Sequence, residues 1–340
     1  MENPENGQLL DRFLGSILGT FVGDALGEPV EGWPHRAIYS QFGILDTMIR
    51  DEGRYTDDTQ MMTGILETLV ENGGFDPAVC ARKFKENFDP GRGYGRRIFG
   101  VVERIGQGIP WDQVGTDSFG NGGAMRIAPI GCFYFRDLEA IKEHAILSAR
   151  ITHHHPEGLA GAVAQASAVG LALQYGLSNE PVEPRGYLDG IAAQVTDIDK
   201  RFAENLNGIK FLSAGLGLDR LTRSEAGTKT CTSLSGSPLS GIIEAITGRY
   251  GLSLKAIESV PAAIGAFVLT QNFREAVVLA VNLGGDTDTI GAMAGAIAGA
   301  YYGYGQIPQE WLNTLENGAK GRDYVISCVK HIVSSLPHSL

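Results

Sequence analysis

The chain has 340 residues, 43% of them hydrophobic and 20% charged, so it can bury a sizeable core and is not a disordered protein. Its formal net charge of −11 argues against a nucleic acid as the main partner, because an acidic surface repels a phosphate backbone. Glycine accounts for 46 residues, about twice its usual share of ~7%, with no Gly-X-Y repeat, which indicates tight turns and close packing rather than collagen.

The first predicted element is a helix that begins near Leu10 and continues to about Leu26. Its apolar residues recur at i, i+3, i+4 and i+7, which is typical of a buried helix face. Four glycines recur once per turn along the same stretch: Gly15, Gly19, Gly23 and Gly27. Each costs about 1 kcal/mol relative to alanine. We therefore expect a compensating contact, with the backbone of another helix lying very close.

Further helices follow along the chain. Residues 57–72 carry helical periodicity and are followed by Gly73 and Gly74, which would end the helix. Residues 157–175 are rich in Ala, Val and Leu and predict a buried helix. Another helix is predicted to open at Asn272, with Glu275 as its capping-box partner. Between these helices, residues 222–241 are polar and small, which predicts a loop or mobile flap.

The last predicted helix carries a second glycine row: Gly291, Gly295, Gly299 and Gly303. We predict that both glycine-row helices are central and that they pack against each other. Strand patterns and hairpin signals are nearly absent, and no Gly/Ser linker divides the chain. The sequence therefore predicts one all-α domain over residues 1–340, with several irregular loops.

The cysteines and the apolar segments of the sequence indicate the cellular compartment of the protein. The four cysteines lie far apart, which favours neither a disulfide framework nor a zinc site: Cys80, Cys132, Cys231 and Cys328. The first residues are polar and acidic, unlike a secretory signal. The longest apolar span, residues 290–303, is shorter than the ~20 residues of a membrane helix. We expect a soluble, cytoplasmic protein that does not act at a membrane.

The strongest local pattern is the run of Thr56, Asp57, Asp58 and Thr59 at the start of the predicted 57–72 helix. Helix capping explains one of these acids, with Asp57 as the cap and Gln60 three residues further on. The second acid is left without a role. Taken alone, such a pair of acids is more often part of the structure than of a site.

Residues 284–289, with the sequence GGDTDT, place a similar set of acids and hydroxyls before the second glycine row. If both helix beginnings met in the core, four carboxylates would converge, which is strongly unfavourable without cations. Oxygen ligands select hard ions, so Mg²⁺ or Mn²⁺ would be expected. Two such ions sharing carboxylates would suit hydrolysis.

Three other segments offer chemical groups. The loop after the first helix carries Glu28 and Glu31, although it could also be an ordinary solvated loop. Residues 117–125 form a glycine-rich turn whose amides could approach an anion, and Phe119 could stack on a sugar or base. Residues 153–155 are three histidines, which cannot easily converge on one ion. A helix-capping turn with one functional histidine is the favoured interpretation.

Six segments, in this order, resemble the ADP-ribosylglycohydrolase family: GDALGEPVEG, YTDDTQMM, SFGNGGAMRIAPIG, THHHPEGLAGA, ESVPAAI and NLGGDTDTIGAMAGAIAGAYYG. The resemblance extends over about residues 10–304 and is weakest over residues 181–238. It implies a compact, orthogonal all-α bundle with a binuclear magnesium or manganese centre. Threonine at positions 56 and 289 is closer to the bacterial and serine-type branches than to the arginine-specific animal branch, which has serine there.

The resemblance also implies roles for individual residues. Six positions match the family's metal ligands: Thr56, Asp57, Asp58, Asp286, Asp288 and Thr289. Glu31 matches a loop glutamate that approaches the metals or swings away, and catalytic roles are expected for Glu31, Asp57 and Asp288. Seven positions are expected to bind the substrate: Ser118, Phe119, Gly120, Asn121, Gly122, His153 and Gly285.

The activity that the resemblance implies is removal of ADP-ribose from a modified protein or small molecule, by hydrolysis of the bond at C1″ of the distal ribose. The expected partner is thus an ADP-ribosylated protein or ADP-ribose conjugate. Two alternatives remain open: a two-metal phosphohydrolase of a nucleotide diphosphate, and a non-catalytic scaffold that binds ADP-ribose. The acceptor linkage and the oligomeric state are not fixed by these patterns.

Overall fold

Helical periodicity runs through most of the sequence, and the structure, a computed structural model, is correspondingly built from helices. It describes residues 4–49, 52–216 and 238–336. In these ranges the α-helices, named α1 to α16 in chain order, span Pro4–Gly27, His35–Phe42, Asp57–Asn72, Pro77–Asn87, Arg96–Gly106, Ala128–Phe133, Leu138–Arg150, Pro156–Ser178, Pro184–Val195, Lys200–Gly215, Pro238–Thr247, Ala256–Val268, Phe273–Asn282, Thr287–Tyr302, Gln309–Thr314 and Arg322–Ser335. Short 3-10 helices span Glu28–Val30, Pro90–Arg92, Asn121–Gly123 and Tyr304–Gln306. The described ranges contain isolated β-bridges but no sheet, so the predicted all-α multi-helix bundle is confirmed.

The two glycine-row helices, α1 and α14, lie antiparallel and touch through their backbones. A Cβ atom added to Gly23 would overlap the carbonyl oxygen of Gly291, and one added to Gly19 would overlap that of Gly295. No side chain larger than hydrogen fits between these helices, which is the compensation that the glycine rows predicted. Their pairing is confirmed, and it brings the end of α1 next to the beginning of α14.

Helix α14 occupies the centre of the bundle. It packs against α1, α8, α12 and α13, and its residues from Thr287 to Tyr301 are all buried. The apolar core continues outward as one cluster that includes Phe13 of α1, Trp311 of α15 and Val333 of α16. Among the described residues, no helix combines the length and apolar character needed to cross a membrane.

The predicted helices 57–72 and 157–175 correspond to α3 and α8, and α3 ends at Gly73 in a left-handed conformation with φ of 65°. Asn272 caps α13 by accepting a hydrogen bond from the Glu275 backbone N–H at 2.9 Å. The predicted cap of α3 was wrong. Thr56 is the cap, because its hydroxyl accepts the Asp58 backbone N–H at 3.3 Å, so capping does not use the Asp57 carboxylate.

The polar segment predicted as a loop or flap, residues 222–241, lies mostly outside the described residues, which resume at residue 238. Its last four residues form the first turn of α11, beginning at Pro238. A proline suits that position because the first helical residue has no intrahelical use for a backbone N–H. The prediction was therefore wrong for residues 238–241.

Candidate active site

A pocket of about 370 Å³ opens where α1 ends and where α3 and α14 begin. Five carboxylate side chains line one part of it: Glu31, Asp57, Asp58, Asp286 and Asp288. The first turns of α5, the segment 116–122 and the pair Thr152 and His153 line the rest. The fold thus brings together three acidic segments and the glycine-rich turn, which are far apart in sequence.

The beginnings of α3 and α14 meet at this pocket. The Thr289 hydroxyl donates to Asp58 Oδ2 at 3.4 Å, although the two residues are 231 positions apart in the chain. Carboxylate oxygens of Glu31, Asp286 and Asp288 all lie within 4.8 Å of one another. The two acid-bearing helix beginnings therefore form one cluster, and the loop after α1 adds Glu31 to it.

Backbone hydrogen bonds hold the Glu31 loop against the beginning of α14. The Gly32 N–H donates to the Gly285 carbonyl at 2.7 Å, and the Gly285 N–H donates to the Trp33 carbonyl at 2.9 Å. Both glycines have positive φ, 79° and 76°, which other residues rarely adopt. Both backbone groups of Gly285, a residue expected to bind substrate, are thus used to fix this loop.

Asp24 anchors α3 to α1 from a fully buried position. Its carboxylate accepts the Thr56 backbone N–H at 3.0 Å and the Thr59 hydroxyl at 2.6 Å. Burial raises the pKa of Asp24 to about 6, and these hydrogen bonds act in the opposite direction. Asp24 has no role among the predictions made from the sequence. It is the only charged residue between Phe13 and Leu26, and that pattern could have revealed it.

The carboxyl groups of the cluster resist ionisation. Burial, reinforced by the charge of Asp24, raises the pKa of Asp57 to about 8. Burial also holds the pKa values of Asp58 and Asp288 well above the ordinary value, with the neighbouring acids adding to the effect. Burial raises the pKa of Asp286 to about 6, while a hydrogen bond from Asn121 lowers it. A positive charge bound among these acids would lower their pKa values.

The donor set fits a hard divalent cation. Asp58 Oδ1 is buried and accepts no hydrogen bond, although an isolated buried acceptor is costly. Asp58 Oδ2 already accepts the Thr56 hydroxyl at 3.2 Å. The side-chain atoms that the acidic part of the pocket offers as metal ligands are all oxygens, which Mg²⁺ and Mn²⁺ prefer. A divalent ion would satisfy both the unpartnered oxygen and the excess negative charge.

The glycine-rich turn is connected to the acidic cluster by Asn121. Its buried side-chain amide donates to Ser259 Oγ at 2.9 Å and to the Asp286 carboxylate. Other groups of the turn have internal partners: the Gly120 N–H donates to Ser118 Oγ at 3.3 Å, and the Asn121 N–H donates to the Leu254 carbonyl at 2.9 Å. These two amides are not available to an anion. The Gly122 backbone and the Phe119 ring, which is 42% exposed, remain at the pocket surface.

The three consecutive histidines have different surroundings. His153 is buried and lines the pocket. His154 is exposed, and its Nε2 contacts the Arg150 carbonyl at 3.0 Å. His155 caps α8 by accepting the Glu157 backbone N–H at 3.1 Å. This is the capping turn that was predicted, with His153 as the one histidine at the pocket.

Several pocket residues were missed by the sequence analysis. Arg126 is 1% exposed and lines the pocket wall, while Arg96, Arg97 and Leu254 line its rim. Arg126 stands between the apolar residues Met125 and Ile127, and a charge in such a position could have been noticed. Arg96 and Arg97 carry no comparable pattern, because they lie at the exposed start of α5.

The family of the chain follows from its similarity to known proteins. A family model described as ADP-ribosylglycohydrolase matches residues 5–337. The chain belongs to this family. It is 30% identical to ADP-ribosylhydrolase ARH3 of Mus musculus over 90% of the chain and 88% of that protein. It is 32% identical to ADP-ribosylhydrolase ARH3 of Xenopus tropicalis over 93% of the chain and 94% of that protein.

A solved structure supports the same assignment. The chain resembles a structure titled "ADP-ribosylglycohydrolase-related protein complex" with a TM-score of 0.64 and 26% identity, covering 97% of this chain and 99% of the other. The family resemblance of the six sequence segments is confirmed. This member of the ADP-ribosylglycohydrolase family is a hydrolase of glycosidic bonds that acts on ADP-ribose linkages.

Proposed function

We propose that this ADP-ribosylglycohydrolase removes ADP-ribose from a modified protein or small-molecule acceptor, and that it requires divalent ions to do so. One observation carries the proposal. Five carboxylates from three chain segments line one pocket, and one of their oxygens, Asp58 Oδ1, is buried without a partner. A protein that only bound a neutral ligand there would have no use for so much uncompensated negative charge.

The ions proposed are two Mg²⁺ or Mn²⁺. Their protein ligands would be the residues of the two helix beginnings: Thr56, Asp57, Asp58, Asp286, Asp288 and Thr289. When bound, such ions polarise oxygen atoms and lower the pKa of water. Asp24 has a supporting role, because it holds the Thr56 and Thr59 backbone N–H groups and thereby fixes where α3 begins.

Glu31, Asp57 and Asp288 are the proposed catalytic residues. Glu31 lies on a loop rather than in a helix, and its carboxylate faces Asp286 and Asp288. Partial burial, followed by the charge of Glu28, raises the pKa of Glu31, so its carboxyl group holds a proton more readily than a free glutamate does. We assign Glu31 to orienting the attacking water or a ribose hydroxyl. Asp57 and Asp288 are the candidates for passing a proton to the departing acceptor.

The bonds made and broken in the proposed reaction are those of glycoside hydrolysis. Water adds to C1″ of the distal ribose as the bond to the acceptor breaks, through a transition state with oxocarbenium character. The proton from water ends on the acceptor atom, and the products are free ADP-ribose and unmodified acceptor. The nucleotide part is proposed to lie along Ser118, Phe119, Gly120, Asn121, Gly122 and His153, and Gly285 would contribute by fixing the Glu31 loop.

The test is product analysis with purified protein and a panel of substrates ADP-ribosylated on arginine, serine, a nucleic-acid end or as O-acetyl-ADP-ribose and poly(ADP-ribose). We expect the protein to release free ADP-ribose. Chelation with EDTA should stop this release, and added Mg²⁺ or Mn²⁺ should restore it. Release of AMP or phosphate instead would identify a phosphohydrolase. Binding of ADP-ribose with no product from any substrate would identify a scaffold.

A further inference from the structure

A buried arginine beneath the nucleotide-binding part of the pocket has no role in the proposed reaction. Arg126 is 1% exposed, and its guanidinium lies over the Phe84 ring, 4.7 Å from the centroid. Burial lowers the pKa of Arg126 to about 10, so the group stays charged at neutral pH. Keeping such a cation inside the protein is costly, which indicates that its hydrogen bonds serve a purpose.

Arg126 donates one of these bonds to Thr152. Its Nη2 donates to the Ser148 carbonyl at 2.9 Å and to the Thr152 hydroxyl oxygen at 2.8 Å. Since an arginine can only donate, it occupies one of the two lone pairs of that oxygen. The Thr152 hydroxyl then has one proton to donate and one lone pair left.

The next contact in the chain is His153. Thr152 Oγ1 lies 2.7 Å from His153 Nδ1 and 3.4 Å from the Ala149 carbonyl. If Nδ1 carried a proton, the Thr152 hydroxyl would have to donate across the longer and weaker distance to Ala149. The shorter distance favours donation from Thr152 to an unprotonated Nδ1. In neutral imidazole the proton then sits on Nε2.

The other edge of the His153 ring faces the nucleotide-binding turn. A Cβ atom added to Gly122 would lie 3.0 Å from His153 Cε1 and 3.4 Å from Nε2, so the absence of a side chain there makes room for the ring. The described residues give Nε2 no hydrogen-bond partner. Burial lowers the pKa of His153 to about 3, and the charges of Arg126 and Arg97 act in the same direction, so the ring is neutral.

We propose that Arg126 and Thr152 are positioning residues that fix His153 in the tautomer with its proton on Nε2, so that the ring donates a hydrogen bond to an acceptor atom of the bound nucleotide. This inference rests on the proposed function for the identity of the ligand. The tautomer itself follows from the contacts among Arg126, Thr152 and His153, and it does not depend on which ligand binds.

The test compares two substitutions of Thr152. Thr152→Val removes the hydroxyl while keeping the shape, and Thr152→Ser keeps the hydroxyl. Thr270→Val is the matched control, because Thr270 is equally buried but its hydroxyl donates only to backbone carbonyls in α12. Long-range proton–nitrogen NMR spectra of histidine-labelled protein, with the His153 signals assigned from His153→Gln, report which ring nitrogen carries the proton.

We expect Nε2 to be protonated in the wild-type, Thr152→Ser and Thr270→Val proteins, and protonation of Nδ1 to become detectable in Thr152→Val. Calorimetric titration should show Thr152→Val binding ADP-ribose about fivefold to tenfold more weakly, and its loss in turnover should fall on KM rather than kcat. A protonated Nδ1 in the wild type, or wild-type spectra and affinity in Thr152→Val, would overturn the inference.

The two proposals fail in different ways. A wild-type protein that binds no ADP-ribose contradicts both the proposed function and the hydrogen bond to the nucleotide. The nitrogen spectra still decide whether the Thr152 hydroxyl sets the tautomer. A protein that hydrolyses its substrate but shows the other tautomer contradicts only the inference about His153.

Discussion

The acidic part of the pocket and the nucleotide-binding part are built on opposite principles. In the acidic part, carboxyl groups face one another with raised pKa values, and Asp58 Oδ1 has no partner. In the other part, the Asn121 side chain donates to Ser259, the Thr152 hydroxyl accepts from Arg126, and the glycine-rich turn has further internal hydrogen bonds. The first part is incomplete until a cation binds, whereas the second is already ordered. Changes in the two parts should therefore differ in size and in kind.

The largest effect is expected from Asp288→Asn, because the amide removes a negative charge from the centre of the acidic part. Turnover should fall by more than the roughly 100-fold that changes around a metal ligand can cost, and divalent-ion affinity should fall with it. Steady-state assays and ion titration by calorimetry measure both. Asp112→Asn, an exposed acid outside the pocket lining, is the control. Unchanged turnover in Asp288→Asn would remove this residue from the metal site.

Glu31→Gln should separate catalysis from ion binding. The substitution keeps the size of the side chain but removes its proton exchange, so turnover should fall by about 100-fold or more. Divalent-ion affinity should change far less than in Asp288→Asn, because the helix beginnings keep their acids. Wild-type turnover in Glu31→Gln would exclude a catalytic role for this loop residue.

Removing the divalent ion should affect stability in a pH-dependent way. Raised pKa values mean that the acidic cluster of the folded, ion-free protein holds protons that the unfolded chain releases. The contribution of this cluster to the free energy of unfolding is therefore largest below about pH 4 and falls as pH rises towards 8. Mg²⁺ at 100 times its Kd should raise the free energy of unfolding by about 2.7 kcal/mol near pH 8. The gain should be smaller near pH 5, where protons compete for the same oxygens. Thermal unfolding with EDTA or Mg²⁺ at both pH values measures this, and an equal gain at both would contradict it.

The smallest effect is expected in the ordered part. Phe119→Leu removes a ring that can stack on a base or sugar but keeps an apolar side chain, so KM should rise a few-fold and ion affinity should not change. Phe211→Leu is the control, since Phe211 is also exposed but lies on α10, outside the pocket lining. A loss of ion binding in Phe119→Leu would mean that the two parts are not separable.

What the sequence could predict depended on local patterns. The glycine rows predicted the pairing of α1 with α14, because a glycine at every turn destabilises a helix unless another backbone packs against it. The paired acids at the beginnings of α3 and α14 were visible because a helix cap needs only one acid. The roles of Asp24 and Arg126 were not predicted, because their partners, Thr56 and Thr152, lie 32 and 26 positions away in the chain. Contacts of that kind leave no periodic trace in a single sequence.

The contact between α1 and α14 has a consequence for the chemistry at their ends. Glu31 is separated from the end of α1 only by the short 3-10 helix Glu28–Val30, and Asp288 lies in the first turn of α14. Because carbonyl groups and glycine Cα atoms meet with no side chain between them, no rotamer change can absorb a displacement. The main-chain contact between α1 and α14 therefore sets the distance between the carboxylates of Glu31 and Asp288. An alanine at position 19 would therefore alter the spacing of the acids from about two helical turns away, without touching any group in the pocket.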